Sequence, residues 1–189
     1  ILPSPCCAIH RGANRCRRLS AEEMRGLDAL GIGPSIADLA GTGESDIDIA
    51  EVRLADWRDT IGSHEPALIA SFRGGALIDE AASTGVWRFA PETGMRIVRD
   101  LRRAALTSPD ATLFAGHALS DVFLAALEGS TPFPLPNVRT LRLESDTGEA
   151  DARLAGGPLW RRAEPGEDKA LAAAITADLA DWAKQCAAP

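Results

Sequence analysis

The sequence predicts a three-layer α/β/α sandwich on a mostly parallel central sheet, folded as a single domain over residues 1–189. Three observations carry this expectation. Short apolar runs end in polar or charged residues, as buried parallel strands do at their carboxyl ends. Amphipathic helical patterns alternate with those runs, the order typical of α/β domains. A length of 189 residues suits one core that buries about 70% of the unfolded surface.

Residues 5–9 read as a short buried strand, followed by a polar, Arg-rich loop from Gly12 to Arg18. "LSAEEMRGLDALG" then opens a helix. Ser20 can cap it while Glu23 completes a capping box, and Met24, Leu27 and Leu30 fall on one face. Gly31 and Gly33 end that helix. A strand is expected near Asp46–Leu54, then a polar loop or helix start bearing Trp57 and His64. The segment Ala67–Ala90 reads as short helices broken at Gly74, Gly75 and Gly85.

Beyond Pro91, "ETGMRIVRDLRRAALTSPD" carries Ile97, Val98, Leu101, Ala104 and Ala105 at helical spacing. "ATLFAGH", residues 111–117, reads as a second buried strand ending in a histidine, and "LSDVFLAALEG" begins another helix at once. "PFPLP" is an extended connection. "NVRTLRLES" alternates Val138, Thr140 and Arg142 against Arg139, Leu141 and Leu143, the period of a strand with one half-exposed face. A partner strand follows at 149–154. A last helix, about 167–186, aligns Leu171, Ile175, Leu179 and Trp182 in one stripe.

Charge and cysteine usage exclude several functions. Twenty basic against 27 acidic residues give a net charge of −7, the wrong sign for a binder of phosphate backbones. Nucleic acid is therefore not an expected partner. Eighteen of the basic residues are Arg, which with abundant Ala and no Tyr reads as bacterial coding bias. Four cysteines are too few for a disulfide framework, and the default compartment is the reducing cytoplasm. No run approaches about 18 consecutive apolar residues, so no membrane partner is expected. Cys6, Cys7, His10 and Cys16 match no usual zinc spacing, and neither a metal nor another cofactor is implied. A homodimer is left open.

The chemistry-bearing residues are sparse. Of three histidines, His10 and His117 both close apolar runs, and His64 reads as a surface loop residue. Histidine at a strand end suits phosphoryl or proton transfer because its pKa lies near neutrality. Asn14, Arg15, Arg17 and Arg18 are candidates to line the mouth of an anion pocket, or are a surface loop. "GTG" at 41–43 reads as a turn rather than a phosphate cradle.

The run from Pro91 to Leu154, a helix, "TLFAGHALSDVFLAALEG" and "NVRTLRLESDTGEADARL", resembles the C-terminal half of the histidine phosphatase (phosphoglycerate-mutase-like) superfamily. "RLADWRDTIGSHEPALIASF" and "LSAEEMRGLDALG" resemble segments of its first half, so the resemblance covers most of residues 5–155. It implies the histidine-phosphatase form of the sandwich. It puts His117 in the place of the second catalytic histidine, Ala118 in that of the following glycine, and Glu51 in that of the general acid.

The departures fall in the phosphate pocket. Aligned on Gly12, His10 stands in the place of the family's signature arginine and Arg11 in that of its nucleophilic histidine. Ala37, in "GPSIA", takes the place of a second arginine. Successive strand residues point to opposite faces, so the swap sends each side chain to the wrong side. A one-residue bulge after Ile9 would return His10 to the nucleophile's place, with Arg15, Arg17 or Arg18 restoring charge.

The functional expectation is thus a divergent superfamily enzyme acting on a small anionic or phosphorylated metabolite through His117, His10, Arg11 and Glu51. The alternatives are an acid/base enzyme built on the same pocket, catalysing elimination, isomerisation or cyclisation, and a ligand-binding protein without chemistry.

Overall fold

The computed structural model describes residues 2–4, 13–43, 45–106, 110, 112–114, 116–158, 160 and 168–187; for 2–4 and 13–20 this covers the backbone path. Five strands form one sheet: β1 (Leu2–Ser4), β2 (Leu68–Phe72), β3 (Gly85–Phe89), β4 (Val138–Leu143) and β5 (Ala152–Leu154). All neighbours are parallel and the spatial order equals the chain order. The helices are α1 (Ala13–Ala29), α2 (Leu54–Ser63), α3 (Gly94–Ala105), α4 (Asp121–Glu128) and α5 (Lys169–Ala187).

The pleat assigns side chains to two faces. Ile69 and Val86 join Trp57, Ile61, Val98, Leu101 and Phe123 in a core beneath α2, α3 and α4. Ala70, Phe72, Trp87, Phe89, Leu141 and Leu143 join Leu27, Leu171, Ile175 and Leu179 beneath α1 and α5. Helices therefore cover both faces, and the α/β sandwich of mostly parallel strands is present. Among the described residues no helix is long and apolar enough to cross a membrane.

Several elements differ from the sequence reading. The strands of the sheet's middle lie in 67–90, where short helices were expected. Every residue of β3 is buried, so "GVWRF" carries no alternation to mark it as a strand. Between β2 and β3 the chain makes one 3₁₀ turn, Arg73–Leu77. The strand expected at Asp46–Leu54 is a 3₁₀ turn, Ile49–Glu51, capped by the Asp48 carboxylate, which accepts from the Ala50 N–H at 2.9 Å. Segment 54–63 is helix α2, whose Asp56 carboxylate accepts from the Arg53 N–H at 2.7 Å. "ATLFAGH" adds no strand to the sheet among its described residues; Phe114 and His117 form an isolated antiparallel bridge.

At the amino end, the expected strand at 5–9 lies outside the described residues, and β1 is Leu2–Ser4. The expected loop at 12–18 is helical from Ala13, so Ser20 sits inside α1 rather than capping it. Glu23 is 3% exposed and lies four residues before buried Leu27, on the inward face of α1. The helix does stop at Gly31, whose φ of +76° is left-handed, with Ile32 N–H donating to the Leu27 carbonyl.

Apart from residues 111–117, the elements from α3 onward follow the sequence closely. Thr93 and Ser120 cap α3 and α4. Gly94 meets the end of α4 backbone to backbone: its N–H donates to the Ser130 carbonyl at 2.9 Å, and a Cβ there would stand 1.5 Å from the Leu127 carbonyl oxygen. β4 alternates as expected, and β5 joins it in parallel through residues 144–151. Parallel strands usually need a dozen residues or more to connect. This short return is pinned by Arg142, which donates to the Glu149 carbonyl and to Asp146, and by Arg153, which donates to the Gly148 and Asp146 carbonyls. α5 is latched by Asp178, which accepts from Trp87 Nε1 at 2.8 Å and from Arg139 Nε at 2.7 Å.

Candidate functional site

Parallel α/β sheets bind ligands outside the carboxyl ends of their strands, and two neighbouring strand ends here are unusual. Arg73, directly after β2, and Ala90, directly after β3, are non-glycine residues with φ of +50° and +48°. Such left-handed residues persist where surrounding structure holds them, and they cluster at functional sites. The bend at Arg73 turns the chain into the 3₁₀ turn, which folds back and lowers Asp79 onto the face of β2 and β3.

Ser71 and Arg88 are direct partners in the β2–β3 register and point to the same face. Asp79, fully buried, receives both: Ser71 Oγ donates at 2.7 Å, Arg88 Nε at 2.9 Å and Arg88 Nη2 at 2.7 Å. Arg88 Nη2 also donates to the Phe133 carbonyl at 3.0 Å. Burial pushes the Asp79 carboxyl up; the hydrogen bonds and charge of Arg88, and the bond from Ser71, offset this only in part.

The next residue faces a second arginine. Glu80 Oε1 stands 3.1 Å from Arg58 Nε, in a pair whose side chains are 27% and 31% exposed. Arg58 donates besides to the Leu77 carbonyl at 3.1 Å, reaches Ser130 Oγ at 3.5 Å, and lies 5.2 Å from the centre of the Phe133 ring. Glu80 Oε2 is buried without a hydrogen-bond partner among the described residues. Burial raises the Glu80 pKa most, helped by the charge of Asp79 and opposed by a backbone hydrogen bond and by Arg58 and Arg88. Between α2, the 3₁₀ turn and the end of α4, two adjacent carboxyls thus have their pKa values raised by burial, each against an arginine. Such a set can exchange a proton and balance an anion's charge.

On the other side of the strand ends, Arg73 lies 4.6 Å from the centre of the Trp160 ring and 3.5 Å from Glu92, which also pairs with Arg96. The Glu92 N–H donates to the Arg73 carbonyl, tying the ends of β2 and β3 together.

Of the residues expected from the sequence, His117, Ala118, Glu51 and Ala37 are described with their side chains, and none of them is among the hydrogen-bond or ion-pair partners of Asp79 and Glu80. His117 is half-buried in the turn before α4, rather than at the end of a sheet strand, and Ala118 beside it is exposed. Glu51 is an exposed residue of a 3₁₀ turn, not of a strand. Ala37 is 1% exposed in the core under α2, a packing position. His10 and Arg11 lie outside the described residues; in sequence they stand between the end of β1 and the start of α1. Asn14, Arg15, Arg17 and Arg18 lie in the first half of α1, with side chains outside the description. His64 is an exposed residue at the end of α2, as read.

Arg58, Ser71, Asp79, Glu80 and Arg88 were missed by sequence reasoning. One signal was available: an arginine inside the apolar run "GVWRFA" must find a buried anion, and "DE" at 79–80 is the nearest acidic pair before it. Among the described residues no group of three or more His, Cys, Asp or Glu side chains could hold a metal ion. Comparison with family models, curated proteins and solved structures finds no match for this chain.

Proposed function

We propose that this protein acts on a small anionic metabolite by acid/base chemistry, at the cluster of charged side chains between α2, the 3₁₀ turn after β2 and the end of α4. The carrying observation is the juxtaposition of Arg58–Glu80 with Asp79–Arg88 at the carboxyl end of β2 and β3. Arg58 supplies a half-exposed cation. Glu80, whose protonated form is favoured by burial, supplies a proton or takes one. Asp79 and Arg88, fixed by Ser71 and the Phe133 carbonyl, hold Glu80's segment in place.

A phosphohistidine route of the kind the sequence resemblance implies needs His10 and His117 to converge on one phosphorus atom. His117 sits in a turn outside the sheet, which favours the acid/base reading over that route.

The test is a panel of small phosphate monoesters and dicarboxylates, with amide chemical shifts mapped on the ¹⁵N-labelled protein and turnover followed for wild type, Glu80→Gln and His117→Ala. The expected result is shifts clustered at residue 58 and at 77–80 and 130–133, with turnover lost in E80Q and kept in H117A. Shifts confined elsewhere would overturn the assignment. Phosphate ester hydrolysis that needs His117 but not Glu80 would replace it with the phosphohistidine route.

A further inference from the structure

At rest Arg58 is already neutralised by Glu80. Its Nε is 3.1 Å from Glu80 Oε1, and among the described residues it also meets the Leu77 carbonyl, makes a long approach to Ser130 Oγ and lies over the Phe133 ring. An incoming anion would face the pair's carboxylate as well as its guanidinium. The other oxygen, Glu80 Oε2, is buried with no hydrogen-bond partner among the described residues, so the carboxylate is poorly solvated on one side. We propose that the Arg58–Glu80 pair takes up a small oxyanion together with one proton, which goes to Glu80 and releases Arg58 to bind the anion.

This rests on the site assignment above and adds its regulation. The groups that bear on Glu80 are Arg58 from α2, Asp79 from its own segment and Arg88 from β3; Ser130 and Phe133, from the end of α4 and the chain after it, bring no titratable group. Asp79 is held by Arg88 and Ser71 on both oxygens, which leaves Glu80 as the group free to change charge without breaking the buried pair. Burial already favours its neutral form. Protonation leaves Arg58 with an uncompensated charge in a partly exposed position, and the bound anion in turn disfavours the return of a carboxylate beside it. Binding and protonation are therefore reciprocal.

Sulfate is a suitable probe, because it keeps its charge across the range tested. Its affinity is measured by isothermal titration calorimetry between about pH 5 and 8 at constant ionic strength, in buffers of different ionisation enthalpy, which counts the protons taken up. Wild type is expected to bind with uptake approaching one proton, its affinity rising up to about tenfold per unit fall in pH within the window set by Glu80. Glu80→Gln, a permanent stand-in for the neutral acid, is expected to bind with no uptake and a flat pH profile. Sulfate binding by wild type without proton uptake would overturn the coupling, as would uptake that persists in E80Q, while leaving the site itself standing. The proton count in wild type decides the matter even if E80Q fails to fold. Absence of sulfate binding throughout would overturn the anion site and the coupling with it.

Discussion

Replacing Arg88 by methionine tests the network on which the candidate site is built. The wild-type guanidinium makes two hydrogen bonds to Asp79, at 2.9 and 2.7 Å, and a third to the Phe133 carbonyl at 3.0 Å, with 7% of the arginine side chain and none of the aspartate exposed. Methionine fills much of the same volume but leaves the aspartate with the bond from Ser71 and a backbone hydrogen bond. Breaking a buried pair by removing one partner costs about 3–5 kcal/mol, against about 0–1 kcal/mol for a surface pair. With an m-value near 2 kcal/mol per molar urea, the unfolding midpoint should fall by about 1.5–2.5 M.

The loss should depend on pH in a definite sense. Asp79's pKa is already raised in the folded protein, and Arg88 is what restrains it. A raised carboxyl contributes stability that is complete below its unfolded value and is lost as pH rises through its folded value. Removing Arg88 lifts the folded value further, so the variant should lose more stability than wild type as pH rises from about 5 to 8. Replacing Asp79 as well, by leucine, should recover most of the loss, since an apolar pair of similar volume is often as stable as a buried ion pair. A loss below about 1 kcal/mol, or one independent of pH, would refute the buried network.

Two further substitutions test how the layers are held. Gly94→Ala would place a Cβ 1.5 Å from the Leu127 carbonyl oxygen, forcing α3 and α4 apart; a loss of about 1–3 kcal/mol is expected by thermal unfolding, and an unchanged midpoint would show that the helices do not meet backbone to backbone. Asp178→Asn should weaken the α5 latch at neutral pH and flatten the acid limb of a stability–pH profile. Burial pushes Asp178 up, but the bonds from Arg139 and Trp87 and the charge of Arg139 outweigh it and hold the carboxyl low. Its contribution is therefore present above the ordinary aspartate range and lost as pH falls through the lowered value; parallel acid limbs in variant and wild type would contradict this.

The sandwich was legible in the sequence where local signals and tertiary demands agree. Thr93 before α3 and Ser120 before α4 are caps whose side-chain oxygens accept from the N–H groups of Arg96 and Phe123, three residues on, and the stripe of Leu171, Ile175, Leu179 and Trp182 needs only a surface to cover. The same reasoning fails at β2 and β3. A strand buried on both faces shows no period-two alternation, and "LIASF" and "GVWRF" next to glycines look like fragments of helix. The candidate site was hidden for a related reason. Ser71, Asp79 and Arg88 come together only because two strands pair in register and Arg73 adopts a left-handed conformation, neither of which spacing along the chain encodes. "ATLFAGH" misled in the opposite direction. Its apolar residues suggested a strand, yet Gly116, at φ +92°, turns the chain so that Phe114 and His117 pair with each other.

The central claim is that Glu80 holds its proton more tightly than an ordinary glutamate because it is buried against the β2–β3 end. It is tested most directly by following the side-chain carboxyl carbons in ¹³C NMR through a pH titration, with the Glu80 signal assigned by its disappearance in Glu80→Gln. The midpoint is predicted to lie above the ordinary glutamate value of about 4.3 and to rise further in Arg58→Met, since Arg58 is one of the groups that lower it. A midpoint at or below the ordinary value, unmoved by removal of Arg58, would contradict it.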